Sequence, residues 1–225
     1  MNNRPYDNFY PVFLNLKDRK CVVIGGGKVA GRKVLGLLNA GADVTVVSPA
    51  ITERLEKLVF SGKVRYRARK YRKSDLGGAF LVIAATSDEN INRKIYNAAE
   101  CLVNTVDMPQ YCSFIVPSVV RKGPLKIAIS SSGLSPAISR TLRKELEDFI
   151  PDDLSMYLSY LREVRQKTKE LIPGNTKTAA SKRSGLLKKL GGRDVLDLLK
   201  KGGFVDTKKH IDTILRKEFG KGYSV

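Results

Sequence analysis

The stretch Val23-Ile24-Gly25-Gly26-Gly27-Lys28-Val29-Ala30 limits the fold more than any other part of the chain. It sets a glycine turn between a β-branched run and a helical pattern, and it fits GxGxxA. The first glycine permits a tight turn. The second lets backbone approach a pyrophosphate, and the small third position lets helix and strand pack closely. The helix that follows would offer unpaired N–H groups to phosphates. Gly25, Gly26, Gly27, Lys28 and Val29 are therefore candidate dinucleotide contacts.

The surrounding pattern agrees. Residues 21–24, 43–47, 64–68, 80–85 and 102–106 read as strands. Residues 30–38, 51–60 and 89–99 read as helices, with Gly41 ending the first. Alternation of this kind predicts a doubly wound parallel sheet, an α/β fold of Rossmann type. Ser48-Pro49-Ala50 after the second strand and Ala85-Thr86 after the fourth fall where such a sheet binds its ligand. No acid closes the second strand to hold ribose hydroxyls, and no Arg follows it at once to hold a 2′-phosphate. NAD is the expected cofactor, with NADP as the alternative.

The pattern changes after Asp107. Residues 114–120 and 125–130 read as a hairpin around a turn at 121–124. Ser135-Pro136 opens a helix, with Ser as N-cap and Pro at the first helical position. Its apolar face is Ile138, Leu142, Leu146 and Phe149, and Pro151 breaks it. In the next helix Leu154, Tyr157, Leu161, Val164, Thr168 and Leu171 make a narrow seam. That seam suits either a helix of a second subunit or the chain's own core. Residues 175–184 are small, polar and basic and read as a linker or mobile loop. Two short helices, 193–201 and about 206–219, end the chain. The expected organisation is a Rossmann domain at 1–112, a dimerisation region at 113–150 and a small helical domain at 151–225.

The 225 residues hold 41 Lys and Arg against 22 Asp and Glu, a formal net charge of +19. The excess runs along the whole chain, so it is not a detachable basic tail. Such a charge invites a polyanion. The run Lys63 to Lys73 interleaves Arg with Tyr, as single-strand binders do. It reads instead as an edge strand kept from aggregating by charge, and no nucleic acid is expected. No apolar stretch reaches the roughly 18 residues of a membrane span, and Met1 to Pro11 lacks an apolar signal core, so a cytoplasmic protein is expected. One His and three Cys without metal-like spacing imply neither a zinc site nor a disulfide scaffold. His210 reads as a surface residue and Cys21 as core. Cys112 is notable only for its nearness to Asp107.

An ordered set of segments resembles the precorrin-2 dehydrogenase family, which includes the N-terminal half of siroheme synthase. The matching stretches are Phe9 to Leu14, Gly25 to Ala30 with Arg32-Lys33, and Ala84 to Asp88 with Asn92. Asn104 to Pro109 leading to Ser113-Phe114, then Pro117-Ser118 and Ile129 to Pro136, complete the set. The resemblance implies NAD-dependent oxidation of precorrin-2 to sirohydrochlorin, with iron insertion (ferrochelatase activity) in some members. It also implies a homodimer and a tetrapyrrole partner. The family's catalytic carboxylate falls on Asp107, just beyond a strand's carboxyl end, where it could take the proton lost with the hydride. Ser130, Ser131 and Ser132 fall at the tetrapyrrole site, and Ser132 stands where relatives often carry Gly. A carboxylate-rich tetrapyrrole and a pyrophosphate give a basic cleft a small-molecule reason. The alternative function is an NAD-binding regulatory sensor without turnover.

Overall fold

Burial separates the strands from the helices at once. Lys20–Ile24 (β1), Asp43–Val47 (β2) and Leu81–Ala84 (β4) are almost wholly buried β-branched runs. Strands covered on both faces read this way because helices pack above and below them. The computed structural model describes residues 9–220. The chain divides into two compact units, Met1–Val116 and Pro117–Val225. The expectation about the first residues, up to Asn8, lies outside the described part.

In the first unit the sheet has the order β3-β2-β1-β4-β5, all parallel, with β3 at Arg65–Arg67 and β5 at Leu102–Thr105. Helix α1 (Lys28–Leu38) presents Ala30, Val34 and Leu37 to one face, where they join Val23, Val44, Val46 and Ile83. Val106 and Phe114 pack against that same cluster. Leu55 of α2 (Glu53–Phe60) closes it. Ile95 of α3 (Glu89–Ala98) covers Val22, Val82 and Ala84 on the opposite face. Gly41 takes φ +77 in the turn after α1, as its helix-ending role requires.

The basic run is less solvated than its sequence implies. Arg65 pairs with Asp43. Asp75, 1% exposed, accepts from Arg67 at 2.5 Å, from both terminal nitrogens of Arg69 at 2.8 and 2.6 Å, and from the Arg72 amide at 2.8 Å. These bonds, led by Arg69, hold the Asp75 carboxyl well below the usual carboxylate range. The edge strand is thus fastened by a buried acid, which a sequence pattern does not reveal.

In the second unit Ser118–Lys122 (β6) and Leu125–Ile129 (β7) form an antiparallel hairpin whose turn is only Gly123-Pro124. The hairpin therefore starts four residues later than residue 114, and its turn is shorter than 121–124. The reason lies in β5, which claims the intervening residues. Val103 N donates to Ser113 Oγ at 2.7 Å, Ser113 N donates to Val103 O at 2.8 Å, and Asn104 Nδ2 donates to Phe114 O at 3.1 Å. Pro117 has no N–H to extend a ladder.

Helix α4 (Pro136–Phe149) begins as expected, with Ser135 Oγ accepting from Ile138 N. Its apolar face is not buried, since Ile138, Leu142 and Phe149 are 58%, 47% and 59% exposed. Helix α5 (Leu154–Leu171) uses its seam on the chain's own core. Tyr157, Tyr160 and Val164 pack with Leu186, Leu190, Val195, Leu199, Ile211 and Leu215. The linker expected at 175–184 is instead the start of helix α6 (Lys177–Leu190). Thr176 caps it, accepting from Ala179 N at 3.2 Å, and Ala179, Leu186 and Leu190 anchor it. The last helix, α7 (Arg193–Phe219), is broken at Gly203 with φ +68, which yields the two segments expected.

Candidate functional site

The glycine turn leaves β1 at its carboxyl end and is pressed between two neighbouring loops. Gly25 sits at φ +121, and a Cβ there would meet Ala85 O at 2.3 Å. A Cβ on Gly26 would meet Ala50 O at 1.9 Å. Gly26 O accepts from Thr52 N at 3.0 Å, Gly25 N donates to Val47 O at 2.9 Å, and Ala85 N donates to Ile24 O at 2.8 Å. Gly25, Gly26, Ser48, Ala50 and Ala85 thus come together at the carboxyl ends of β1, β2 and β4. Ligands of open α/β sheets bind at this edge.

Gly27 differs from its neighbours. It is the N-cap of α1, exposed, with extended backbone, and a Cβ on it would meet nothing within 4 Å. No side chain caps the helix and no acid lies in its first turn. No capping side chain therefore engages the N–H groups that open α1, and the positive end of the helix lies behind them. Lys28 is exposed beside them. These residues fit a dinucleotide pyrophosphate, with Gly27, Lys28 and Val29 at the phosphates. Ser48 Oγ donates to Ala50 O at 2.7 Å, so it shapes the Ser48-Pro49-Ala50 loop, with Pro49 and Ala50 exposed. Thr86 Oγ1 donates to Asn92 Oδ1 at 2.8 Å, and Asn92 Nδ2 donates back to Thr86 O at 3.1 Å. Buried Asn92 thereby fixes the Ala85-Thr86 loop.

Asp107 follows β5 on the same edge of the sheet. It is exposed and holds φ +60, a region that Asp visits more readily than most residues. The loop it starts is clamped back onto β5. Thr105 N donates to Cys112 Sγ at 3.2 Å, and Thr105 Oγ1 donates to Tyr111 O at 2.8 Å. Strained backbone persists where its surroundings over-determine it, and this loop supplies that restraint. Lys33 of α1 lies within the electrostatic reach of both Asp107 and Cys112. Burial, and Arg32 beside it, push its ammonium below the ordinary lysine value, while Cys112 and Asp107 work against that shift. Lys33 stands in the Arg32-Lys33 pair that follows the glycine turn, and a local pattern there carries no sign of the fold neighbours it meets. Burial pushes the Cys112 thiol up, so it is not an activated nucleophile.

The serine loop belongs to the second unit. Ser135 N donates to Ser131 Oγ at 3.0 Å, and buried Ser139 Oγ lies 3.2 Å from the same oxygen. Ser132 N donates to Ser130 Oγ at 3.0 Å. Ser132 takes φ +52, a left-handed backbone at which glycine is at ease. His210 is exposed and Cys21 is fully buried.

Comparison with known proteins agrees with this geometry. Residues 12–118 match a family model described as putative NAD(P)-binding, and residues 122–148 match one described as sirohaem biosynthesis protein central. A siroheme synthase of Nitrosospira multiformis is 47% identical over 169 residues, covering 72% of this chain and 36% of that protein. A siroheme synthase of Methylobacillus flagellatus is 43% identical over 163 residues, covering 71% and 35%. The chain thus spans about a third of the length of these curated relatives. Among solved structures, SirC, a precorrin-2 dehydrogenase, superposes with a TM-score of 0.75 at 26% identity, covering 91% of this chain and all of its own. A dinucleotide-binding unit followed by the sirohaem central region, in this order and with this fold, means that the chain belongs to the precorrin-2 dehydrogenase family.

Proposed function

We infer that the chain oxidises precorrin-2 to sirohydrochlorin with NAD as hydride acceptor and Asp107 as proton acceptor. The observation that carries this reading is a restrained, exposed carboxylate placed at the same sheet edge as a phosphate-ready helix N-terminus. A bound dinucleotide supplies the hydride acceptor. Gly25 and Gly26 let the turn lie close to its neighbouring loops, and the amides that open α1 hold the pyrophosphate. The Asp107 carboxylate takes the proton that leaves with the hydride. Lys33 adds positive charge near Asp107, which favours a carboxylate-rich substrate. Ser130, Ser131 and Ser132, beside the N-terminus of α4, contact substrate carboxylates.

NAD is favoured over NADP by the fate of the nearest arginine. Arg67 pairs in register with Val47 at the end of β2, yet its guanidinium is engaged by Asp75. The exposed Ile138 and Leu142 on α4 support a homodimer built on residues 113–150, with residues 151–225 as a separate helical domain. No helix among the described residues is long and apolar enough to cross a membrane.

The test is incubation of purified protein with precorrin-2 and NAD, following sirohydrochlorin absorbance. NAD-dependent product that disappears with Asp107→Ala supports the reading. Tight NAD binding without turnover would replace it with a sensor.

A further inference from the structure

The second unit holds a groove that the proposed reaction does not use. It lies between α5 and α6, encloses about 630 Å³, and is lined by Arg165, Lys169, Arg183 and Lys188 with no acidic side chain. Its remaining walls include the small residues Ala180, Ser184 and Gly191, which let a ligand come close to the backbone. From Leu171 to Arg193 the chain has six basic residues and no acid. The usual partners of a solvated basic helix, acids three or four positions away, are therefore missing from α6.

One of the four cations is fixed in place. Arg183 Nη1 donates to Ile172 O at 2.6 Å and to Gly174 O at 2.8 Å, carbonyls just past the last residue of α5. Among the described residues its Nε and Nη2 make no hydrogen bond, and Arg165, Lys169 and Lys188 make no ion pair. A guanidinium held by one nitrogen keeps a donor fork for an oxyanion, at less entropic cost than a free side chain. Four like charges around one groove repel one another until an anion enters.

We propose that this groove is a binding site for a small, multiply charged oxyanion, one bearing several phosphates or several carboxylates. The two sources share the same recognition chemistry, and separate probes distinguish them. Inorganic tripolyphosphate and an octacarboxylate porphyrin are titrated into the isotope-labelled full-length protein at low salt, with NAD saturating to mask the glycine turn. The readout is the amide shifts of Ser184, Leu187, Lys188 and Gly191.

Saturable shifts at these amides are expected with at least one probe, and the tighter probe names the anion class. The variant R165Q/K169Q/K188Q removes three exposed charges and spares Arg183; it should weaken binding about tenfold. The variant K126Q/K144Q/K201Q removes the same charge elsewhere in the unit and should bind as the native chain does. Shifts absent for both probes, or an equal loss in both variants, would overturn the proposal.

Discussion

Gly26 and Gly27 are adjacent glycines with opposite reasons to exist, and alanine at each separates folding from binding. A Cβ on Gly26 would stand 1.9 Å from Ala50 O and 2.8 Å from Ser48 Oγ. An ordinary contact needs roughly 3.5 Å, so the Ser48–Ala50 loop must retreat by about 1.5 Å. That movement breaks the Ser48 Oγ to Ala50 O bond and the Thr52 N to Gly26 O bond. Two net hydrogen bonds at about 1 kcal/mol each, plus about 1–2 kcal/mol of overpacking, give a loss of about 3–4 kcal/mol. For a chain of this length the melting temperature should fall by about 10 °C. Alanine at Gly27 meets nothing within 4 Å and keeps an allowed backbone, with φ −78 and ψ −176. Only the poorer N-cap is felt, about 0.5 kcal/mol and about 2 °C. Its methyl group, however, stands where the pyrophosphate meets the helix. One lost charge-assisted hydrogen bond, about 1.5–3 kcal/mol, weakens NAD binding by about 10- to 100-fold. Thermal unfolding without ligand and calorimetric titration with NAD read the two effects separately. If Gly27→Ala binds NAD like the native chain, the phosphates do not rest on α1. If Gly26→Ala melts normally, close approach to Ala50 is not what requires glycine there.

Asp107→Asn keeps a side chain that tolerates the left-handed backbone and removes only the base. Turnover of precorrin-2 should drop by about 10²- to 10⁴-fold while NAD affinity and melting temperature stay put. Asp75→Asn strips a buried carboxylate from two arginines; because both arginines are partly exposed, the expected loss is about 2–3 kcal/mol, less than for a fully buried pair. The Asp75 carboxyl is depressed in the folded state, so its contribution is full above the unfolded value near about 3.9 and fades as pH falls through the folded value. Urea melts at pH 7 and below about pH 4 should therefore show the gap between native and Asp75→Asn proteins shrinking with acid; a constant gap refutes the assignment. The proposed homodimer predicts that Leu142→Lys, on the exposed face of α4, sediments as a monomer without unfolding the hairpin while the native chain sediments as a dimer; identical sedimentation of the two refutes it.

What could be read from residues alone was whatever local pattern decides. The buried strands announced themselves because a run such as Cys21-Val22-Val23-Ile24 has no polar face to offer water. The glycine turn was legible for a similar reason: no side chain fits at Gly25 or Gly26. Helix α6 was hidden because its first nine residues are small or basic, and the leucines that hold it, Leu186 and Leu190, lie beyond that window. Its helicity is a tertiary effect, supplied by Tyr157, Val164 and Ile211 from helices distant in sequence. The same limit applies at the site. Asp107 could be placed at a strand end from sequence, but its positive φ comes from Cys112 and Tyr111 folding back on Thr105. Lys33 could be seen in a motif, but not near Asp107, because it is the packing of Val106 and Phe114 on the cluster that also holds Ala30 and Val34 that brings that loop to α1. Chemistry at this edge of the sheet therefore depends on two layers. The backbone cradle is written in three consecutive glycines, while the charge around the carboxylate is written in contacts that join α1 to a loop more than seventy residues away. A change that loosens that packing, such as Phe114→Ala, should lower turnover while leaving NAD affinity intact, because it moves the second layer and not the first. Equal losses in both would mean that cradle and carboxylate form one rigid unit.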